Sequence, residues 1–276
     1  MTGEGSPGYT THAGVEVSAL THKRSLWAGF GQPPRPTAVP GLPYDRNPDR
    51  PGSTRPPARG VFEAVEAHPG LRIAGATEVT SPARSLTEAS SHAALVVLGS
   101  RGYGRVIGAL LGSVSFAVAA RAGCPVIVVK DDSMDQRVGP EHRIVVGTDG
   151  SPEATAAVGF AADLAATASA PLEIVTCTGG HQVEDVDERE LRATADRFAE
   201  AAADHVRATH SGLAVSTRVE DCPAELTLVD ASADAGLVVV DTRGRGAFEG
   251  MLLGSVSHAV IHGARCAVAV VGEGQA

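Results

Sequence analysis

The sequence predicts an α/β protein: two doubly wound parallel-sheet domains in tandem, the first of them incomplete. Three observations carry that prediction. Residues 95–129 align with 237–271 at a constant offset of 142, without a gap and with 20 identities in 35 positions. From residue 143 onward, short β-branched runs alternate with helical patterns, which forces parallel pairing through right-handed crossovers. Each copy carries a Gly-rich stretch between a strand and a helix: GSRGYGRVIGALLGS (99–113) and DTRGRGAFEGMLLGS (241–255).

The second copy can be followed from end to end. RIVVG (143–147) has the composition of a strand buried on both faces. Ser151 and Pro152 read as N-cap and first helical residue of a helix reaching Ala168. PLEIVTC (171–177) is the next strand, and an acidic opening at 183–190 leads into a helix ending near Thr209. LAVSTRV (213–219) alternates as a strand and Pro223 opens a third helix. GLVVVD (236–241) is a strand, Ser255 reads as the cap of a fourth helix, and CAVAVV (266–271) is the last strand. In DERELRATADRFAEAAADHV (187–206) charge alternates with Ala at helical spacing, the pattern of a solvated amphipathic helix.

The first copy keeps only its rear part. Its LVVLG strand, Gly-rich loop, helix capped by Ser113 and VIVV strand are present, and VFEAVEAHPGLRIAG (61–75) reads as the end of a helix and a strand. Subtracting the offset from Asp149 lands on Pro7, within GSPGYTT, which is no buried strand. Residues 1–60 hold ten of the seventeen prolines and are expected to be disordered or extended, with VEVSAL (15–20) the one strand-like stretch. The expected organisation is a Pro-rich segment (1–60), a partial domain (61–130), a polar linker (131–141) and a complete domain (142–273).

Composition bounds the partners. A net charge of -9 argues against a nucleic-acid partner, which requires a basic face. The chain has no apolar run long enough to span a membrane and no leader pattern. Cys124, Cys177, Cys222 and Cys266 form no C-x-x-C pair. A cytoplasmic protein with reduced, mostly buried thiols is the expectation. Aromatics make up 4% of the chain, so the core rests on Val, Leu, Ile and Ala.

The Gly-rich stretches suggest phosphate. Gly99, Gly102 and Gly104 free the backbone to approach a ligand closely, and Gly112 precedes a helix start whose first amides lack internal acceptors. A loop and helix N-terminus of that kind can cradle an anion, and Arg101 could screen its charge. The spacing matches neither G-x-x-x-x-G-K-[ST] nor G-x-G-x-x-G. A turn that merely joins strand to helix is the alternative.

G-x-x-G-x(9)-G-[ST] after the fourth strand, followed by VS and a C-[PA]-V-x-V-V strand, resembles the universal stress protein family. So does VVGTDGS at the start of the second copy. The resemblance implies a Rossmann-like fold of the adenine-nucleotide alpha-hydrolase-like kind. It also implies a ligand, ATP or a related adenine nucleotide, with or without magnesium, in those members that bind one. The matching positions are Thr148 and Asp149 on the adenosine side and Cys177 lining the adenine. Ribose and phosphates fall to Gly99, Arg101, Gly102, Gly112, Ser113 and Val114 in the first copy. In the second copy they fall to Asp241, Gly244, Gly254, Ser255 and Val256.

Both copies depart from the pattern. The first lacks the adenosine-side aspartate, and in the second Asp241 stands where the loop's first glycine belongs. A carboxylate about 4 Å from a phosphate charge costs about 1 kcal/mol in water and about 4 at an intermediate dielectric. The sites therefore read as weakened or degenerate. The family also implies that VIVV (126–129) and VAVV (268–271) pair antiparallel, within one chain or across a homodimer. In that arrangement Cys124 and Cys266 start from opposite ends of the ladder, too far apart for a disulfide.

Other constellations carry less. His258 and His262 stand at metal-ligand spacing without a third ligand, and no G-x-S-x-G elbow is present, so no metal or catalytic residue is assigned. The leading expectation is a regulatory, stress-response binding protein. A scaffold that binds no nucleotide is the alternative, and a slow ATPase is the third reading.

Overall fold

The computed structural model describes residues 17–18, 75–76, 81–100, 112–130, 136–179, 187–244, 253–272 and 275. The chain divides into two units, Met1–Pro82 and Ala83–Ala276. Within the first, β1 (Val17–Ser18) pairs antiparallel with β2 (Gly75–Ala76). β1 falls inside VEVSAL, while the rest of the Pro-rich segment and most of 61–75 lie outside the described residues.

The second unit is built on one seven-stranded sheet. In chain order its elements are α1 (Pro82–Ser90), β3 (Val96–Gly99), α2 (Ser113–Ala119) and β4 (Val126–Val129) from the first copy. The second copy contributes β5 (Ile144–Gly147), α3 (Pro152–Ala168), β6 (Leu172–Gly179), α4 (Glu188–Thr209), β7 (Val215–Pro223), α5 (Ala224–Ala231), β8 (Leu237–Asp241), α6 (Ser255–Gly263) and β9 (Ala267–Val271). The strand order is β3-β4-β9-β8-β5-β6-β7. Every pairing is parallel except one: β4 and β9 run antiparallel, with Val126 opposite Val270 and Val128 opposite Val268. The last strands of the two copies thus join inside the chain, as the family resemblance implies.

The helices follow from their sequences. Ser151 caps α3, its hydroxyl accepting from the Ala154 amide at 3.1 Å, and Pro152 takes the first helical position, where no amide is needed. Asp187 caps α4 by accepting from the Arg189 amide at 2.9 Å. Helix α4 buries Ala195, Ala199, Ala203 and Val206, one stripe at helical spacing, and leaves its charges in water. The main core lies between the sheet and α3 and α4: Ile144, Val146, Leu172, Ile174, Leu237 and Val239 pack on Ala157, Ala161, Ala165 and Val206. Small helical side chains let these layers approach closely, which is how a chain so poor in aromatics builds a dry interior.

The same apolar run meets two environments. LVVV at 237–240 is buried throughout, because β8 lies between β5 and β9. LVVL at 95–98 forms most of β3, at the edge of the sheet, and Val97 is 53% exposed. Among the described residues, the seven-stranded sheet has no first-copy counterpart of β5.

Candidate functional site

Strands β5 and β8 are parallel neighbours, Val146 opposite Val239, so their carboxyl ends emerge side by side. From β5 the sheet continues outward through β6 and β7 on one side and through β8 and β9 on the other. The crevice between β5 and β8 is therefore the point where strand order reverses, the place where open α/β sheets hold ligands.

The turn leaving β5 is fixed by its own polar groups. The Thr148 amide donates to the Val175 carbonyl at 2.9 Å, keeping this residue against β6. The Thr148 hydroxyl accepts from the Gly150 amide at 3.2 Å, and Asp149 Oδ1 accepts from the Ser151 amide at 2.9 Å. Gly150 has φ +73°, and a Cβ there would lie 2.6 Å from the Phe198 ring, so the turn requires glycine on both counts.

The loop leaving β8 is held by a frame that the first copy repeats bond for bond. The Thr242 amide donates to the Val271 carbonyl at 2.9 Å, the Gly254 amide to the Thr242 carbonyl at 2.7 Å, and the Ser257 hydroxyl to the Asp241 carbonyl at 2.5 Å. In the first copy Ser100 donates to Val129 at 2.7 Å, Gly112 to Ser100 at 3.0 Å, and the Ser115 hydroxyl to the Gly99 carbonyl at 2.9 Å. This frame corrects the expectation that Ser113 and Ser255 cap their helices. Gly112 and Gly254 take the N-cap position with extended backbone and no side-chain cap, and the serines are the first helical residues. The reason is the latch: each glycine amide is drawn back to the residue after the strand, so the helix starts one residue after it.

Asp149, Asp241 and Gly244 converge in the crevice. A Cβ on Gly244 would lie 2.7 Å from Asp149 Oδ2 and 3.8 Å from Asp241 Oδ2, so both carboxylates border the same glycine and Asp149 leaves no room for a side chain there. Burial pushes the Asp241 carboxyl up to about 7, with the negative charges of Asp149 and of Glu153 in the first turn of α3 acting in the same direction. Cys177, near the end of β6, is half-buried; burial raises its thiol, while the Thr227 hydroxyl beside it pulls the other way.

Thr148, Asp149, Asp241 and Gly244 are thus brought together, with Gly254, Ser255 and Val256 at the start of α6, whose frame ties it to the same loop. Gly99, Gly112, Ser113 and Val114 form the matching loop ends at β3 and α2, and Glu88 on α1 is the one first-copy carboxylate among the described residues. Arg101 and Gly102 lie outside those residues. Sequence reasoning missed Glu153, whose signal was its place two residues after the Ser151 cap. It also missed an open cavity lined by Thr148, Gly150, Thr155, Phe198 and His205, which had no sequence signal because α4 supplies part of it. Cys124 and Cys266 are free and buried as expected, but Cys222 is exposed.

The universal stress protein family profile matches the chain twice, over residues 43–130 and 141–272. The chain belongs to the universal stress protein family. A universal stress protein of Mycobacterium bovis is 38% identical over 214 residues, covering 75% of this chain and 72% of that one. One of Mycobacterium tuberculosis is 34% identical over 198 residues, covering 68% and 65%. Among solved structures, a universal stress protein from Archaeoglobus fulgidus aligns with a TM-score of 0.51 at 26% identity, over 70% of this chain and 66% of that one. The two universal stress protein matches close at 130 and 272, each just after the strand, β4 or β9, that joins the copies. The first begins inside the Pro-rich segment. Among the described residues no helix is long and apolar enough to cross a membrane.

Proposed function

We propose that this universal stress protein is a regulatory, stress-response protein that binds an adenine nucleotide in the crevice between β5 and β8. One observation carries the reading: the Thr148–Asp149 turn and the Asp241–Gly244 loop meet there, Asp149 Oδ2 lying 2.7 Å from a Cβ position on Gly244. In this reading Thr148, Asp149 and Cys177 face the adenosine. Gly244, Gly254, Ser255 and Val256 face ribose and phosphates, where the first amides of α6 lack intrahelical acceptors. The first copy offers a loop without an adenosine side, so binding is assigned to the second. No catalytic residue is proposed.

A scaffold role is the second reading, and the β4–β9 junction favours it, since the chain builds a dimer-like sheet by itself. Calorimetric titration of ATP into the full chain separates the two. Saturable binding that Gly244→Ala weakens at least tenfold supports the nucleotide site, because a Cβ would collide with the Asp149 carboxylate. Absence of binding favours the scaffold.

A further inference from the structure

We infer that Asp241 is a charge gate for this site: it makes the affinity for adenine nucleotides fall with rising pH, and fall more steeply the more phosphate charge the ligand carries. The inference rests on the nucleotide reading and names what regulates the site and which ligands it admits.

The hydrogen-bond frame around the loop is the same in both copies, so the residue whose carbonyl receives the frame's serine hydroxyl occupies one position twice. It is Gly99 in the first copy and Asp241 in the second. The substitution therefore adds a carboxylate to an otherwise unchanged backbone, at the start of the loop and against Gly244, where phosphate is to pass. Two further carboxylates act on it from other elements: Asp149 on the turn after β5 and Glu153 in the first turn of α3. Both set a negative charge against Asp241 in a half-buried crevice, which disfavours its ionised form.

Geometry and charge together set two states. With its proton, Asp241 is a neutral hydroxyl donor that a phosphate oxygen can accept from. Without it, Asp241 is a carboxylate facing an anion, and the repulsion grows with each phosphate charge. The carboxyl is pushed up to about 7, so the change of state falls where small pH changes matter. Linkage then requires the reciprocal effect: an anionic ligand holds the Asp241 proton more tightly, so binding near neutral pH takes up a proton. Adenosine, which has no phosphate, is indifferent to the gate.

The test uses the full chain, wild type and Asp241→Asn, titrated calorimetrically with ATP and with adenosine in EDTA at about pH 6 and about pH 8. Buffers of different ionisation heat read proton uptake. The asparagine keeps the shape and removes the charge, and its own profile cancels the titration of the ATP phosphates. Asp241→Gly, which restores the first copy's residue, serves if the asparagine variant misfolds. Wild-type ATP affinity is expected to fall severalfold more than the variant's between the two pH values, about tenfold being the most that a carboxyl titrating near 7 can give. Proton uptake is expected to be larger in the wild type than in the variant, whose exchange reports the ATP phosphates, and adenosine affinity is expected to be alike throughout. If adenosine binds but the ATP profiles of wild type and variant run parallel, the gate is overturned and the site stands. If neither protein binds ATP or adenosine at either pH, the nucleotide reading is overturned and the gate with it.

Discussion

The Lys130 ammonium donates to the carbonyl of His262 at 3.1 Å, and also to that of Ala264, so the residue after the first copy's last strand caps the end of the second copy's last helix. The C-terminal carbonyls of a helix have no internal donors, and a cation there also meets the negative end of the helix dipole. This contact and the β4–β9 ladder lock the copies together independently of any ligand. Phe116 and His258, equivalent positions of the repeat, meet edge to face nearby with ring centroids 5.4 Å apart. Replacing Lys130 with Ala should cost about 1 kcal/mol. Thermal unfolding of the full chain should show a drop of a few degrees, and Lys130→Arg should recover part of it. An unchanged midpoint would mean the contact adds nothing.

The ladder itself can be broken. Proline at Val128 or Val270 interrupts a strand in the middle of the sheet, where its ring and missing amide are not tolerated. The expected result is loosened packing between the copies, read as faster proteolysis within 130–141. Cleavage at the wild-type rate would show that the copies are held some other way.

Two glycines separate backbone strain from crowding. Gly150 and Gly212 both have positive φ, +73° and +93°, but a Cβ on Gly150 strikes Phe198 while one on Gly212 has nothing within 4 Å. Gly212→Ala should cost about 1 kcal/mol from strain alone. Gly150→Ala should cost clearly more in chemical denaturation. Equal losses would contradict the packing of Phe198 against the turn.

Asp241 also makes a statement about stability. A carboxyl whose pKa rises on folding binds its proton more tightly in the folded chain than in the unfolded one. Between about pH 4 and 7 the folded state therefore holds the extra proton, and stability falls as pH rises through that window. The penalty is complete above about 7 and amounts to at most about 4 kcal/mol, lessened by the water that still reaches a half-buried group. Asp241→Asn should raise the unfolding midpoint at about pH 8 and change it little at about pH 4. A gain of equal size at both would contradict the assignment.

How much of this could be read in advance depended on whether the signal was local. Helix α3 was legible to its first residue because Ser151 and Pro152 are start signals that act within one turn. The β4–β9 junction was implied by the family resemblance of the repeat. Strand β7 runs four residues past its alternating pattern, to Pro223, because a bulge against β6 and a bond from the Thr178 hydroxyl to Asp221 extend the pairing. Ser113 and Ser255 carry a cap signal that the fold overrides, because their glycines are latched by hydrogen bonds to the residue twelve positions back, which no local rule contains. Asp149 and Asp241 each stand out in the sequence by their own motif. Their convergence on Gly244, with Glu153 acting on Asp241, is tertiary and had to be seen.

The central claim is that adenosine enters between β5 and β8 of the second copy. Amide hydrogen exchange of the full chain, with and without saturating adenosine at about pH 6, tests it directly, because it reports where binding occurs as well as whether it occurs. The expected result is slowed exchange at 148–151 and 241–244, lost in Asp149→Ala. Unchanged exchange, or protection confined to 99–100 and 112–114, would contradict it.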